Sequence, residues 1–549
     1  MTATSATSPS AEGETSKPRD AFARLTPFGW NGGLAIILII LTLSFFLAGY
    51  FVIYWRNADM DFMIVYNALA MNDGKPQIFL DHPAYFTILS VKTWFAAMHG
   101  LGLLDAWKLS SIPSALNLPA FDAAMTSAIR AGRIVAWLTG LLFVAIYAGL
   151  IRHVVRDWRV ALLATFAFAF SGGVAVEIRI LRSEMIAGCF FAFAMLVLII
   201  VAKRATPWRP LAIAAAAALC VLGMENKVQI VLLISALPFL MLAFGGPDSA
   251  STAFWNNSAK AWLTVATSAL IAALTFLAAL PLIRAGLDPA ATSAALLRPL
   301  LFGKFFTYQV ALLAWIGGCM IAYAVIWRVS ATETLTAIFA VIAGASLALL
   351  ALNIQYNAGN VVAVINPIEK MLTFAGTDPQ STTASEKFFA TLGPLVAYVK
   401  FVLFRYSFVL ATSPRPTVFM VWLIVPGIIV AWRRGERQTA LQAMLLLLAS
   451  IGIDTLGVQR GLKSEYFIFT DPLLILAGAL LLDRLDDLRW ARWTYSIGVA
   501  LIVVHVAISQ AEPVKHVLKK SGPQYICDWN QVYQPELPLP WCDLPPKKP

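Results

Sequence analysis

The sequence predicts an all-α polytopic membrane protein with about thirteen transmembrane helices, and three observations predict it. First, 59% of its 549 residues are hydrophobic and 13% are charged, with mean hydropathy +0.74. Soluble domains are about 45–50% apolar and about 25% charged. Second, apolar runs of span length recur from Leu34 to Ser509, with no polar stretch between them that could hold a core of its own. Third, Lys and Arg gather in alternate short loops, as the positive-inside rule requires of cytoplasmic loops.

Residues 1–30 are rich in Ser, Thr and Ala and lack an apolar core, which predicts a disordered cytoplasmic tail and no signal peptide. The first helix, about Leu34 to Trp55, is then an uncleaved anchor. Further spans are predicted to start near Ile134, Val160, Met185, Leu211, Val228, Ala261, Tyr308, Leu335, Val418, Ala440, Phe467 and Trp493. Two more runs carry charge. Lys92 and His99 interrupt Ala84 to Leu104, and Lys400 and Arg405 interrupt Phe389 to Ala411. A charge at mid-membrane costs ~2.5–3.5 kcal/mol on insertion scales, so both runs are predicted to be amphipathic helices lying on the outer face. The inner loops then collect Arg152, Arg156 and Arg159, next Lys203, Arg204 and Arg209, and later Arg433, Arg434 and Arg437. Were Ala84 to Leu104 to cross, the first two clusters would turn outward.

The expected organisation is one membrane domain, residues 31–512, with large outer loops at 56–133 and 355–416, followed by a Pro-rich outer tail at 513–549. The amino terminus is cytoplasmic and the carboxyl terminus outside, in a multi-pass plasma (inner) membrane. Charge alone does not fix the tail, because Arg484, Arg489 and Arg492 before the last span are matched by Lys515, Lys519 and Lys520 after it. An outer tail lies in an oxidising compartment, where Cys527 and Cys542 are expected to form a disulfide. Cys189, Cys220 and Cys319 sit inside apolar runs as small hydrophobes.

Candidate chemistry gathers on the outer face. Asp59 and Asp61 follow the first helix directly; acids at i and i+2 share a face on an extended segment and diverge on a helix. A solvated interfacial pair is the simpler alternative. His82, before Pro83, could orient a substrate or relay a proton, or only open the following helix. The short turn from Glu177 to Glu184 holds Arg179 and Arg182 between two acids. Either the charges pair with one another, or an Arg is left over to grip an anion. Lys227 lies in the next outer turn, and Arg460, Lys463 and Tyr466 in the last. Basic residues thus recur where the positive-inside rule predicts their depletion, which points to an anionic ligand. His82, His99, His153, His505 and His516 form no zinc-type motif, and no Walker loop or dinucleotide fingerprint occurs.

Together these features resemble the membrane-embedded glycosyltransferases of the GT-C superfamily, including the protein O-mannosyltransferases and the lipid A aminoarabinose transferases. The matching residues are Asp59-Met60-Asp61-Phe62 followed by Gly74, His82-Pro83 opening the next apolar run, and Arg182-Ser183-Glu184 starting a helix; Lys227 and Tyr466 with Pro472 are weaker echoes. The match covers about the first 230 residues, and beyond them only the number of helices agrees. Met60 separates two acids that adjoin in many members, which leaves open which of them is the base.

The resemblance implies a GT-C-like fold and transfer of a hexosyl or pentosyl group from a polyprenyl-phosphate donor to an envelope glycan, lipid or protein acceptor on the outer face. Asp59 and Asp61 would be catalytic, and His82, Arg182, Glu184, Lys227, Arg460, Lys463 and Tyr466 would bind substrate. No cofactor is required if Arg and Lys neutralise the departing phosphate, although a carboxylate pair can hold a divalent cation. No nucleic-acid partner is expected. The alternatives are a secondary transporter, which should show two related halves, and an O-antigen polymerase or ligase, for which Lys400, Arg405 and Arg415 of the second outer loop would matter.

Overall fold

The computed structural model describes residues 29–77, 84–203, 208–245, 258–287, 306–355, 384–407, 418–458, 462, 464–484, 491–518, 527, 534–537 and 539–542. Among these every regular element is helical. The chain runs through α1 (Gly29–Phe45, prolonged by a π-turn Phe46–Tyr50), α2 (Ala58–Asn72), α3 (Tyr85–Gly100), α4 (Leu118–Val154), α5 (Trp158–Ala169) and α6 (Gly172–Glu177). It continues through α7 (Glu184–Lys203), α8 (Arg209–Asn226), α9 (Ile230–Met241), α10 (Ser258–Leu287), α11 (Phe306–Ile326) and α12 (Ala331–Gln355). The last elements are α13 (Ala384–Ser407), α14 (Val418–Arg433), α15 (Arg437–Gly457), α16 (Asp471–Arg484) and α17 (Ala491–Leu518).

Among the described residues eight helices are long and apolar enough to cross a membrane: α1 with its π-turn, α4, α7, α8, α10, α11, α12 and α15. Their outward surfaces suit lipid. On α10, for example, Leu263, Leu270, Leu274 and Leu277 all face outward from the protein. The protein thus has the build of a helical membrane protein.

The runs expected to span from near Val160, Val228 and Val418 form shorter apolar helices, and the run from near Trp493 lies in α17. Local chemistry accounts for the first. The run from Val160 breaks after Ala169, where the Ser171 side chain turns back to accept from the Val174 N–H and starts α6. Pro238 and Pro426 each remove one backbone donor inside α9 and α14. The run from Phe467 becomes α16, of which every residue from Asp471 to Leu482 is buried. A helix apolar on all sides belongs in the middle of a bundle, and α16 sits there, against α5, α14 and α15.

Two hydrophobic cores follow. The larger unites α1, α4 to α9 and α13 to α17. The smaller joins α2, α3, the first turns of α4 and the tail residues Leu537 and Leu539 into a layer at one end of the bundle. The first charged run therefore packs, through Ile88, Val91 and Phe95 of α3, into this end layer and not among the spans. The second run behaves differently: Val402 and Tyr406 of α13 are buried in the bundle core, beside α15.

Contacts between turns sort cleanly by end. At one end the Arg156 and Asp157 amides donate to Asp483, Lys203 reaches the Val154 carbonyl, Gln438 reaches Gly245 and Trp327 reaches Leu242. These are turns the charge pattern assigns to the inside. At the other end Lys227 meets Glu184, Arg182 meets Glu465, and Asn226 meets the start of α3. The tail joins this second end. Cys527 and Cys542 are bridged, Trp541 packs near the rings of Tyr54 and Phe62, and Glu536 pairs with Lys75. The loop after the first helix and the carboxyl-terminal tail therefore share one face.

Candidate functional site

Beneath the end layer, three turns converge on a buried charged cluster. The turn 178–183 contributes Arg182, which lies 3.4 Å from Glu177, 3.4 Å from Glu184 and 3.5 Å from Glu465. Glu184 also receives Lys227 at 2.7 Å. Glycine brings Glu465 within reach. Ile468, in the 3-10 turn Ser464–Phe469, presses so closely on Gly173 that a Cβ there would lie 2.4 Å from its backbone nitrogen, and Gly188 packs against the same residue. Three carboxylates thus face two cations. They hold the Arg182 guanidinium charged and its pKa above the usual value, despite burial that acts the other way. Arg182 and Lys227 are engaged by these acids, so the pairing alternative describes this turn and no cation is left over on either of them.

Asn226 links the cluster to the end layer. Its Oδ1 accepts from the Phe86 amide at 2.9 Å, capping α3 from outside, while its Nδ2 donates to the Ser183 carbonyl at 2.6 Å. The Asn226 carbonyl accepts from the Ala84 amide, where the backbone takes the left-handed conformation at φ +50°. Thr87 completes the junction by donating to the Arg182 carbonyl at 3.2 Å. The start of α3, which His82 would precede, is thereby fixed against the charged turn; His82 itself lies outside the described residues, as do Arg460 and Lys463.

Asp59 and Asp61 both belong to the first turns of α2. The acids are on a helix, so spacing alone does not aim them at one point. Asp61 is completely buried and fully engaged. It takes two bonds from Arg133, at 3.1 and 2.8 Å, and one from the Leu181 amide at 2.7 Å. A carboxylate so occupied positions α2 against α4 and the charged turn. The Asp59 side chain lies outside the described residues.

Three residues at this end were not singled out from the sequence. Arg133 is among the largest fully buried side chains; an Arg at the head of an apolar run is its sequence signal. Glu225 is buried, and its Oε2 has no hydrogen-bond partner. Asp454, three residues from the end of α15, accepts from Tyr406 at 2.6 Å and from Thr470 at 3.0 Å. It borders a cavity of about 50 Å³ with Gln229, Gly457, Leu462, Tyr466 and Phe469. A water needs about 10–15 Å³ of such space, so the cavity admits a few waters. Among the described residues no group of three or more His, Cys, Asp or Glu is placed to hold a metal ion.

No family model matches this chain, and no curated protein or solved structure matches it significantly.

Proposed function

We propose that the protein is a membrane glycosyltransferase of GT-C type with about thirteen spans. It moves a sugar from a polyprenyl-phosphate donor to an envelope glycan, lipid or protein acceptor at the outer face of the plasma membrane. The observation that carries this reading is the convergence of α2's acidic start, α3's capped start and the charged turn Glu177–Glu184 at one end of the bundle, the three segments on which the resemblance rests. In this account Asp61 is a positioning residue. Its ion pair with Arg133 holds the helix from which Asp59 acts as general base toward the acceptor. Arg182, Lys227, Glu177 and Glu184 form a rigid floor, and contacts to the departing phosphate fall to Arg460 and Lys463 in the turn before Glu465.

The transporter alternative calls for charge in mid-span. Glu225 and Asp454 are each within a few residues of a helix end, at the level of the cluster, which favours surface chemistry over a pathway. Mass spectrometry of membrane lipids from a strain lacking the protein tests the reading. Accumulation of one polyprenyl-phosphate sugar supports it, and an unchanged lipid profile with intact envelope glycans contradicts it.

A further inference from the structure

On the opposite side of the turn 178–183 from Arg182 lies a second buried guanidinium with a different environment. Arg179 is only 6% exposed. It donates to the Ala175 carbonyl, to the Ser44 hydroxyl of α1 and, at 2.9 Å, to the Gln510 Oε1 of α17. None of these partners is charged, and no carboxylate among the described residues pairs with it. Two donors remain over: Arg179 Nε and Gln510 Nε2 are buried without hydrogen-bond partners. Burial lowers the Arg179 pKa to about 10, which leaves it charged at neutral pH.

A buried cation surrounded by neutral groups costs free energy that an anion would offset. The first helix is shaped for this cation. At the same level it loosens into the π-turn Phe46–Tyr50, a form common at functional sites. A Cβ at Gly49 would come within 2.9 Å of the Arg179 shaft. Ser44 and Gln510 are half-buried, whereas Leu43 and Leu47 of the first helix and Ala507 and Ala511 of α17 are exposed around them. Ser44 lies next to the end of α1, and Gln510 next to the end of the apolar stretch Ser496–Ala511. Both positions lie toward the ends of their helices that share a face with the charged turn.

We propose that the junction of α1 and α17 at Arg179 binds the phosphate of a membrane lipid, which accepts from the Arg179 guanidinium and the Gln510 amide while its chains lie along Leu43 and Leu47. A planar guanidinium beside a neutral amide donor suits a phosphate. This site does not depend on the transferase reading and is separate from the floor around Arg182.

The test uses the full chain, purified in mild detergent and delipidated, with native mass spectrometry as readout. Phosphatidylglycerol, a polyprenyl monophosphate and inorganic phosphate are titrated separately into wild type, Arg179→Gln, Gln510→Ala and the lipid-exposed control Leu270→Ala. The expected result is retention of at least one of the two lipids, weakened roughly tenfold by Arg179→Gln and measurably by Gln510→Ala, with Leu270→Ala unchanged. Preference between the lipids identifies whether the phosphate comes from bulk phospholipid or from a polyprenyl carrier. Should Arg179→Gln fail to fold, Gln510→Ala decides. Equal lipid retention in wild type and the folded variants, or binding of inorganic phosphate alone, overturns the proposal.

Discussion

The Arg133 guanidinium, wholly buried in α4, meets the wholly buried Asp61 carboxylate of α2 at 2.8 Å, and Asp61 also holds the Leu181 amide at 2.7 Å. One carboxylate thereby joins the end layer, the long helix α4 and the charged turn. Removing one partner of a buried pair leaves the other uncompensated, at a cost of about 3–5 kcal/mol. Asp61→Asn and Arg133→Gln should therefore each lower the thermal midpoint in detergent clearly. The apolar double replacement Asp61→Leu/Arg133→Met should lose less than the sum of the single losses. Strict additivity in that cycle would mean that the two groups do not act as a pair.

The tail clasp makes a second expectation. Leu537, Leu539 and Trp541 belong to the end layer, and the bridge closes a sequence separation of 15 residues, worth about 3 kcal/mol in loop-closure entropy. Replacing both Cys527 and Cys542 with Ser should raise hydrogen exchange in α2 and in residues 534–542 while leaving α7 protected. Unchanged exchange in α2 would show that the tail does not support the layer.

Topology follows from the sorting of turns by end. With a membrane-impermeant maleimide, Cys at Lys75 and at Ser110 should both label from outside, since the Ser110 hydroxyl donates to Asp73 at 2.9 Å and lies on the same face. A Cys at Gly435 should label only after permeabilisation. Labelling of Ser110 only after permeabilisation would mean that α3 crosses.

Gly173 is predicted to be intolerant of any side chain. Gly173→Ala places a carbon against the Ile468 backbone, and overpacking of this kind costs about 1–3 kcal/mol. The turn carrying Glu465 would be pushed away from Arg182. Gly149→Ala, with nothing within 4 Å, is the matched control and should be neutral or slightly stabilising. Equal behaviour of the two variants would remove the close approach from the account.

Much of this was legible in the sequence because composition and periodicity report on solvent. The helical membrane build, the packing of Ala84–Leu104 into the end layer and the alternation of basic turns follow from the cost of charge in lipid, whereas that cost misplaces Phe389–Ala411, whose Val402 and Tyr406 are buried in the bundle core. Partnership was less legible. Whether Arg182 was paired or left over depended on Glu465, nearly three hundred residues away in the chain, and on two glycines that let its turn approach. Asp61 read as a candidate base because its neighbours suggested an exposed loop. Its buried partner Arg133 stands at the boundary expected between the first outer loop and the span from Ile134, where sequence alone does not pair it with an acid 72 residues earlier. The short helices α5, α9, α14 and α16 show the same limit, since run length alone conceals a capping Ser or an internal Pro.

The most direct test of the central claim is sugar transfer by the purified protein. The donor is the polyprenyl-phosphate sugar that accumulates in the deletion strain, and wild type is compared with Asp59→Asn at equal expression and equal thermal midpoint. The account predicts measurable transfer by wild type and a loss of roughly 10²-fold or more in Asp59→Asn, as removal of a general base entails. Near-wild-type transfer by a well-folded Asp59→Asn variant would contradict it.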